Sequence, residues 1–440
     1  MPHKSQLAPA DLPKEGTGFD VAMAVGMLVA SDQLDGGRLP GVALVGELGL
    51  DGSLRPVPGA MALVAAARLG GVSEVIVPIE NGTEGASVSN VTVRAAGHLR
   101  EVTRHLAGME DLEVVPRPLP VAPSDLPDDA PNLRGVIGQL VARRALEIAV
   151  AGRHNLAMVG PPGVGKTLLA RAAVGLLPPM DDDEAAEVSR IHSVAGVRER
   201  SAPMTLLRPF RAPHHTISTQ ALVGGGPRIR PGEASLAHHG ALLLDEALQF
   251  RADALDALRG PLDDGAVIIA RVEGVLSLPA RFMLIATYNP CPCGWSGVEG
   301  RTCACEDGRR RRYQARLSGP MRDRLDLLVQ LAPAVPGRAS HTESTSVVAA
   351  RVAAAWCRQR ARQTGANADL PVALLDEAHG FDADLHTALE LRGRQMGLSL
   401  RRLHRAARVA RTIADLAGTE HVEREHLDEA LLHRPKEAAP

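Results

Sequence analysis

The stretch Leu156-Ala157-Met158-Val159-Gly160-Pro161-Pro162-Gly163-Val164-Gly165-Lys166-Thr167 decides the fold. Its first four residues are apolar and read as a buried strand. Residues 160–167 fit the phosphate-binding pattern GxxxxGK[ST], and residues 168–173 read as the helix that should follow it. Glycines let backbone N–H groups turn inward around a phosphate, and the positive end of the new helix faces the same anion. In this pattern Gly160, Pro161, Pro162, Gly163, Val164 and Gly165 cradle the nucleotide. Lys166 reaches the β and γ phosphates, and the Thr167 hydroxyl holds Mg²⁺. A Gly-rich turn with no ligand is the plainer alternative, but strand, loop and helix all agree with the phosphate loop.

A second apolar run, residues 241–244, ends in Asp245-Glu246. An Asp at the tip of such a strand can hold the Mg²⁺ shell, and the adjacent Glu is placed to polarise a water for attack on the γ-phosphate. Alone, the pair would read as a strand-to-turn boundary; beside the phosphate loop it reads as catalytic. A third run, residues 282–286, leads into Thr287-Tyr288-Asn289-Pro290. Asn289 can orient the attacking water there, against the alternative of an ordinary Asn-Pro turn.

Composition narrows the class. A chain of 440 residues suggests two to three domains, and 45% hydrophobic with 23% charged residues is an ordinary globular balance. The net charge of −2 gives no bulk argument for nucleic acid, so any basic surface must be local. Aromatics at 2% limit base stacking as a binding mode. The apolar stretch 21–30 is too short to cross a bilayer, and the N-terminus lacks a signal-peptide pattern, so a cytoplasmic location without membrane contact is expected.

Cys291, Cys293, Cys303 and Cys305 lie in one short segment, with Cys357 apart. In a reducing compartment such a cluster suits tetrahedral coordination of a structural Zn²⁺, with free thiols or a redox pair as the alternatives. The run Arg309 to Arg312, followed by Arg316, comes directly after it and is the densest basic patch. It could meet a nucleic-acid backbone or face water or a neighbouring subunit.

Residues 1–112 alternate strand-like runs (41–45, 75–77) with helix-like ones (21–30, 60–69), an α/β or α+β unit. Residues 113–131 carry six prolines among acidic residues and read as a semi-rigid linker. Residues 132–335 hold the nucleotide motifs on alternating helices and apolar strands, which implies a parallel sheet wrapped by helices. A break at 332–337 precedes residues 336–440, which have helical periodicity: Val409, Ile413 and Leu416 space one apolar face, and Leu427, Ala430 and Leu431 another.

These motifs, with Leu317-Ser-Gly-Pro-Met-Arg-Asp-Arg-Leu-Asp-Leu327, resemble the AAA+ module of magnesium-chelatase-like proteins. More narrowly, the chain resembles the ComM/YifB family. The specific marks are Leu7 to Gly16, Arg208-Pro-Phe-Arg-Ala-Pro-His-His215, Gly224 to Gly226 with Pro231-Gly-Glu233, the Cys cluster, and Val409 to Leu416. The resemblance implies an α/β fold: a P-loop AAA+ parallel sheet with a C-terminal helical lid, preceded by a Lon-protease-like α+β domain. That first domain usually begins several dozen residues earlier, which implies a shortened start here.

The resemblance also implies a ring homo-oligomer, a hexamer, with ATP and Mg²⁺ held between neighbours. Asn289 takes the sensor-1 place. Arg324 sits where an arginine finger would reach the next subunit's γ-phosphate. Arg401 looks like the sensor-2 arginine, with Arg402 and Arg405 as competitors. Residues 192–239 resemble a pore-facing insertion whose His214, His215, Arg208, Arg211, Arg228 and Arg230 give local positive or titratable character. Residues 267–279, with Arg271, resemble the pre-sensor-1 hairpin. Gly18 stands where the Lon nucleophilic Ser should be, and residues 59–62, Gly-Ala-Met-Ala, lack the partner Lys, so a proteolytically dead domain is expected. The function implied is an ATPase motor on DNA, for branch migration or helicase-like remodelling in recombination or DNA uptake. The alternatives are a chelatase motor for metal insertion into a porphyrin, and a protein-remodelling ATPase.

Overall fold

The computed structural model describes residues 17–121, 130–227, 229–271, 274–333 and 343–434. The motif Leu7 to Gly16, the middle of the Pro-rich linker, Arg228 and the break around 336 lie outside these residues. The chain forms two compact units, and they interleave in sequence. Segments 180–207 and 270–276 belong with 1–124, although they fall inside the stretch carrying the nucleotide motifs.

In the first unit, strands β1 (Val42–Leu44), β2 (Glu74–Pro78) and β3 (Thr92–Ala96) form a parallel sheet in that order. Helices α1 (Asp20–Ala30) and α2 (Ala60–Leu69) match the two expected apolar runs. Val57, Met61, Val64, Val75, Val77 and Met204 share one core, and Val21, Val25, Ile76 and Val102 another. Alternate residues of β2 therefore face opposite cores, as a strand period of two requires. The helix Asp182–Ala195 packs on α2 and begins with a reciprocal cap between Asp181 and Glu184.

The second unit is built on five parallel strands: β4 (Leu156–Val159), β5 (Phe210–Arg211), β6 (Ala241–Leu244), β7 (Met283–Tyr288) and β8 (Leu327–Gln330), in the spatial order β8-β4-β7-β6-β5. Strands β4, β6 and β7 are buried along nearly their whole length. Helices or loops cover both faces, which is why these strands read as unbroken apolar runs rather than alternating ones. β7 starts one residue later than its apolar run and continues through Thr287 and Tyr288.

Helix α3 (Leu140–Gly152) lies almost wholly in the core. The phosphate-loop helix α4 is short, Lys166–Arg171, and tightens into a 3₁₀ turn over Ala172–Leu176. The C-terminal part is all helical: α5 (Asp307–Gln314) precedes β8, and α6 (Thr345–Arg362), α7 (Ala383–Met396), α8 (Leu400–Ala417) and α9 (Arg424–Leu432) follow it. Val409, Ile413, Leu427, Ala430 and Leu431 are buried in one cluster with α3 and the sheet. Each of these Val, Ile and Leu side chains contributes about 1.5–3 kcal/mol of burial free energy.

Polar contacts fix the helices to this core. Trp356 Nε1 donates to Val150 O at 3.1 Å, and Gln359 Nε2 to Ala151 O at 2.8 Å. Arg411, fully buried, spends its guanidinium on Asp415 and on the carbonyls of His379, Thr419 and Glu420. Residues 266–271 and 274–279 form a two-stranded sheet, as expected of the hairpin. Among the described residues no helix is long and apolar enough to cross a membrane.

Candidate nucleotide site

The ends of β4, β6 and β7 converge on one point. β4 runs into Gly160, β6 into Asp245 and Glu246, and β7 into Asn289. Gly163 and Gly165 take left-handed backbone (φ +79° and +90°), and Gly165 caps α4 so that its first N–H groups open toward the loop. A Cβ at Gly160 would lie 2.7 Å from Leu331 O, so only glycine fits at that turn.

Lys166 is nearly buried and donates to Gly160 O and Pro161 O, both at 2.8 Å, and to Asn289 Oδ1 at 3.0 Å. Burial pulls its ammonium below the ordinary lysine range, opposed by the charges of Asp245 and Glu246. The Thr167 hydroxyl lies 3.0 Å from both carboxylate oxygens of Asp245. Thr287 Oγ1 donates to Asp245 as well, and accepts from the Glu246 N–H at 3.1 Å. Glu246 is exposed, sits in the left-handed region (φ +54°), and receives a hydrogen bond from Gln249. A non-glycine residue held there costs about 1–3 kcal/mol, so its surroundings must fix it.

Lys166, Thr167, Asp245, Glu246 and Asn289 are thus brought together. Thr287 joins them and was missed by sequence reasoning; the only signal was a hydroxyl inside an otherwise apolar strand. Arg324 and Arg401 meet elsewhere, on the two oxygens of Asp263. Arg324 is 7% exposed and also donates to Arg259 O at 3.1 Å and Pro320 O at 2.6 Å. The competitors have other partners: Arg402 pairs with Asp323 at 2.6 Å, and Arg405 with Asp326 at 2.8 Å. Asp326 is buried, which alone would raise its pKa, yet Arg405, His154 and Arg434 hold it below the usual range.

Two arginines of the insertion are structural rather than free to grip a ligand. Arg208 is 3% exposed, donates to Pro178 O at 2.8 Å and His239 O at 2.6 Å, and lies 4.6 Å over the Trp356 ring. Arg211 forms a bidentate pair with Glu233 at 2.6 and 2.8 Å. Arg230 is exposed, and His214 packs its ring on His215.

The four cysteines converge. Sγ of Cys291 is 3.4 Å from that of Cys293 and 3.6 Å from that of Cys303; Cys293 and Cys303 are 3.6 Å apart, and Cys305 completes the group. Zn–S bonds of about 2.3 Å place tetrahedral sulfurs roughly 3.8 Å apart, so the donor set fits such an ion. The Trp295 backbone N–H draws the Cys293 thiol down to about 6. Next along the chain, α5 presents Arg309 to Arg312 with no buried residue.

In the first unit, a Cβ on Gly18 would touch Leu63 Cδ1 at 3.6 Å. Leu63 lies one residue past the segment 59–62, and neither Gly18 nor that Gly-Ala-Met-Ala segment carries a nucleophile.

Residues 132–339 match the family model for magnesium chelatase subunit ChlI, 342–434 its C-terminal model, and 5–81 a further ChlI model. The uncharacterized protein YifB of Salmonella typhimurium is 42% identical over 432 residues, 97% of this chain and 84% of that one. Competence protein ComM of Haemophilus influenzae is 40% identical over 97% of this chain and 84% of its own. The magnesium-chelatase 67 kDa subunit of Heliobacterium mobile is 29% identical over 38% of this chain and 29% of its own. With its phosphate loop on a five-stranded parallel sheet and its C-terminal helices, the chain belongs to the ComM/YifB family of magnesium-chelatase-like proteins.

Proposed function

We propose that this protein is an ATP-hydrolysing AAA+ ring motor that remodels DNA, by branch migration or helicase-like movement during recombination or natural transformation. The observation that carries the reading is the hydrogen-bonded set at three adjacent strand ends: Lys166 with Asn289, and Thr167, Asp245, Thr287 and the Glu246 N–H in one chain of contacts.

Its mechanism follows from those residues. The loop 160–165 wraps phosphates with backbone N–H groups, and Lys166 exchanges its two carbonyl contacts for the β and γ oxygens. Thr167 and Asp245 hold the Mg²⁺ shell. Glu246 takes the proton of the attacking water while Asn289 orients it. Mg²⁺ supplies charge neutralisation on the phosphates. Arg324, on leaving Asp263 and its carbonyl partners, is the finger that reaches the γ-phosphate of a neighbouring subunit, and Arg401 is the sensor-2 arginine; the working form is a homo-oligomeric ring, a hexamer. Cys291, Cys293, Cys303 and Cys305 hold a structural Zn²⁺, and the exposed arginines of α5 meet the DNA backbone without reading sequence. The first unit is a Lon-like domain without protease chemistry, used in assembly or binding.

A second reading, a motor for metal insertion into a porphyrin, is favoured by the likeness to the Heliobacterium mobile chelatase subunit. One experiment separates them: steady-state ATPase with four-way-junction DNA, single- and double-stranded DNA, or protoporphyrin added. Stimulation by DNA, with binding that falls steeply as salt rises, is the expected result. Stimulation by porphyrin alone would select the second reading.

A further inference from the structure

The nucleotide site has a second wall that its motifs do not announce. A cleft of about 530 Å³ is bounded on one side by 135–139 and the phosphate loop, and on the other by Trp295 and residues 298–301. That second wall comes from the loop between the cysteine pairs. It touches the phosphate loop directly: Gly294 has φ +86°, and a Cβ there would lie 2.4 Å from Pro162 Cδ. Arg301, exposed, places its guanidinium 4.9 Å from the centre of the Trp295 ring. The chain has only two tryptophans, and the other, Trp356, is buried. A half-buried indole carrying an exposed cation beside a phosphate loop is the chemistry that packs on a base or ribose and neutralises a phosphate.

Among the described residues, the wall's backbone bonds beyond Ser296 are Val298 N to Trp295 O and Arg301 N to Val298 O, both 3.3 Å. At its base the Gly294 N–H donates to Cys291 O at 2.9 Å and the Ser296 N–H to Cys291 Sγ at 3.3 Å. The cysteine pairs close both ends of this segment on one another.

We propose that Trp295 and Arg301 contact the bound nucleotide, and that the four-thiol staple sets nucleotide affinity by fixing this wall against Pro162. The inference rests on the reading of the phosphate loop as an ATP site. Its test uses the full chain carrying Trp356→Phe, which leaves Trp295 as the sole tryptophan. Saturating MgADP should change Trp295 emission. Fluorescence anisotropy with mant-ADP should give a Kd raised by about tenfold or more in Trp295→Ala and in Arg301→Ala. Cys303→Ser with Cys305→Ser should raise it similarly. Should that double variant fail to fold, the Trp295 and Arg301 variants, whose side chains lie at the cleft surface, still decide the matter. Unchanged Trp295 emission, or mant-ADP affinity within twofold of the parent in both single variants, would overturn the inference while leaving the ATP reading intact. Lowered DNA affinity with unaltered nucleotide affinity would overturn it equally and assign the wall to DNA. Absence of mant-ADP binding by the unsubstituted protein would overturn the ATP reading, and this inference with it.

Discussion

Thr287→Val removes one hydroxyl and keeps the shape of a fully buried strand residue. The hydroxyl has two tasks. It donates to Asp245, and it accepts the Glu246 N–H at 3.1 Å. Without it, Glu246 keeps its left-handed backbone (φ +54°) with one anchor fewer, and its N–H loses its partner. Glu246 is itself exposed, so the loss is the net worth of one part-buried hydrogen bond, about 0.5–1.5 kcal/mol. If that cost is expressed as displacement of the Glu246 carboxylate, turnover falls by about 2- to 13-fold. Nucleotide affinity should stay within about threefold, because the phosphate loop and Lys166 are untouched. Phosphate-release kinetics under saturating MgATP would read the first quantity and a mant-ADP titration the second. Full turnover in a folded Thr287→Val protein would refute the claim that Thr287 positions Glu246. An equal loss in affinity and turnover would instead make the residue a binding group.

The other expectations are briefer. On the proposal that its effect crosses a subunit boundary, Arg324→Ala mixed into wild-type protein should depress ATPase activity more than its fraction of subunits; strict proportionality would contradict that. Arg208→Ala should lower Tm by several degrees through loss of two carbonyl contacts and the Trp356 stack, with DNA affinity unchanged once folded; weakened DNA binding at full stability would reverse this assignment. Metal analysis after chelator-free purification should find about one zinc per chain, lost in Cys291→Ser; none in the parent would end the zinc reading. His154, fully buried, has its pKa lowered to about 4 by burial, with Nε2 2.7 Å from Thr412 Oγ1. A depressed histidine pKa makes the unfolded chain the better proton binder, so stability is complete above about pH 6.5 and declines as pH falls toward about 4. Urea midpoints across that window should fall less steeply in His154→Gln; identical slopes would remove His154 from the account.

The parts of the site legible in the sequence are the local ones. A phosphate loop is eight consecutive residues, and strands buried on both faces spell themselves as apolar runs. What stayed hidden depends on distant partners. Asp263 gathers Arg324 from 61 positions away and Arg401 from 138, and no local pattern marks it. Arg208 reads as a loop charge because its carbonyl partners and Trp356 are far along the chain. The edge strand β5 is two residues long, Phe210–Arg211, and one is a charge paired with Glu233, so neither period nor apolarity reveals it. Segment 180–207 reads in sequence as part of the nucleotide-binding region, yet Met204 lies in the core with Met61 and Val64 of the first unit.

The most direct test measures ATP binding and turnover in wild-type protein and in Glu246→Gln, each with and without four-way-junction DNA. The wild type should show Mg²⁺-dependent hydrolysis that rises with junction DNA, and the variant should retain ATP binding with turnover near background. No affinity for adenine nucleotides, or undiminished hydrolysis by Glu246→Gln, would contradict the ATPase reading.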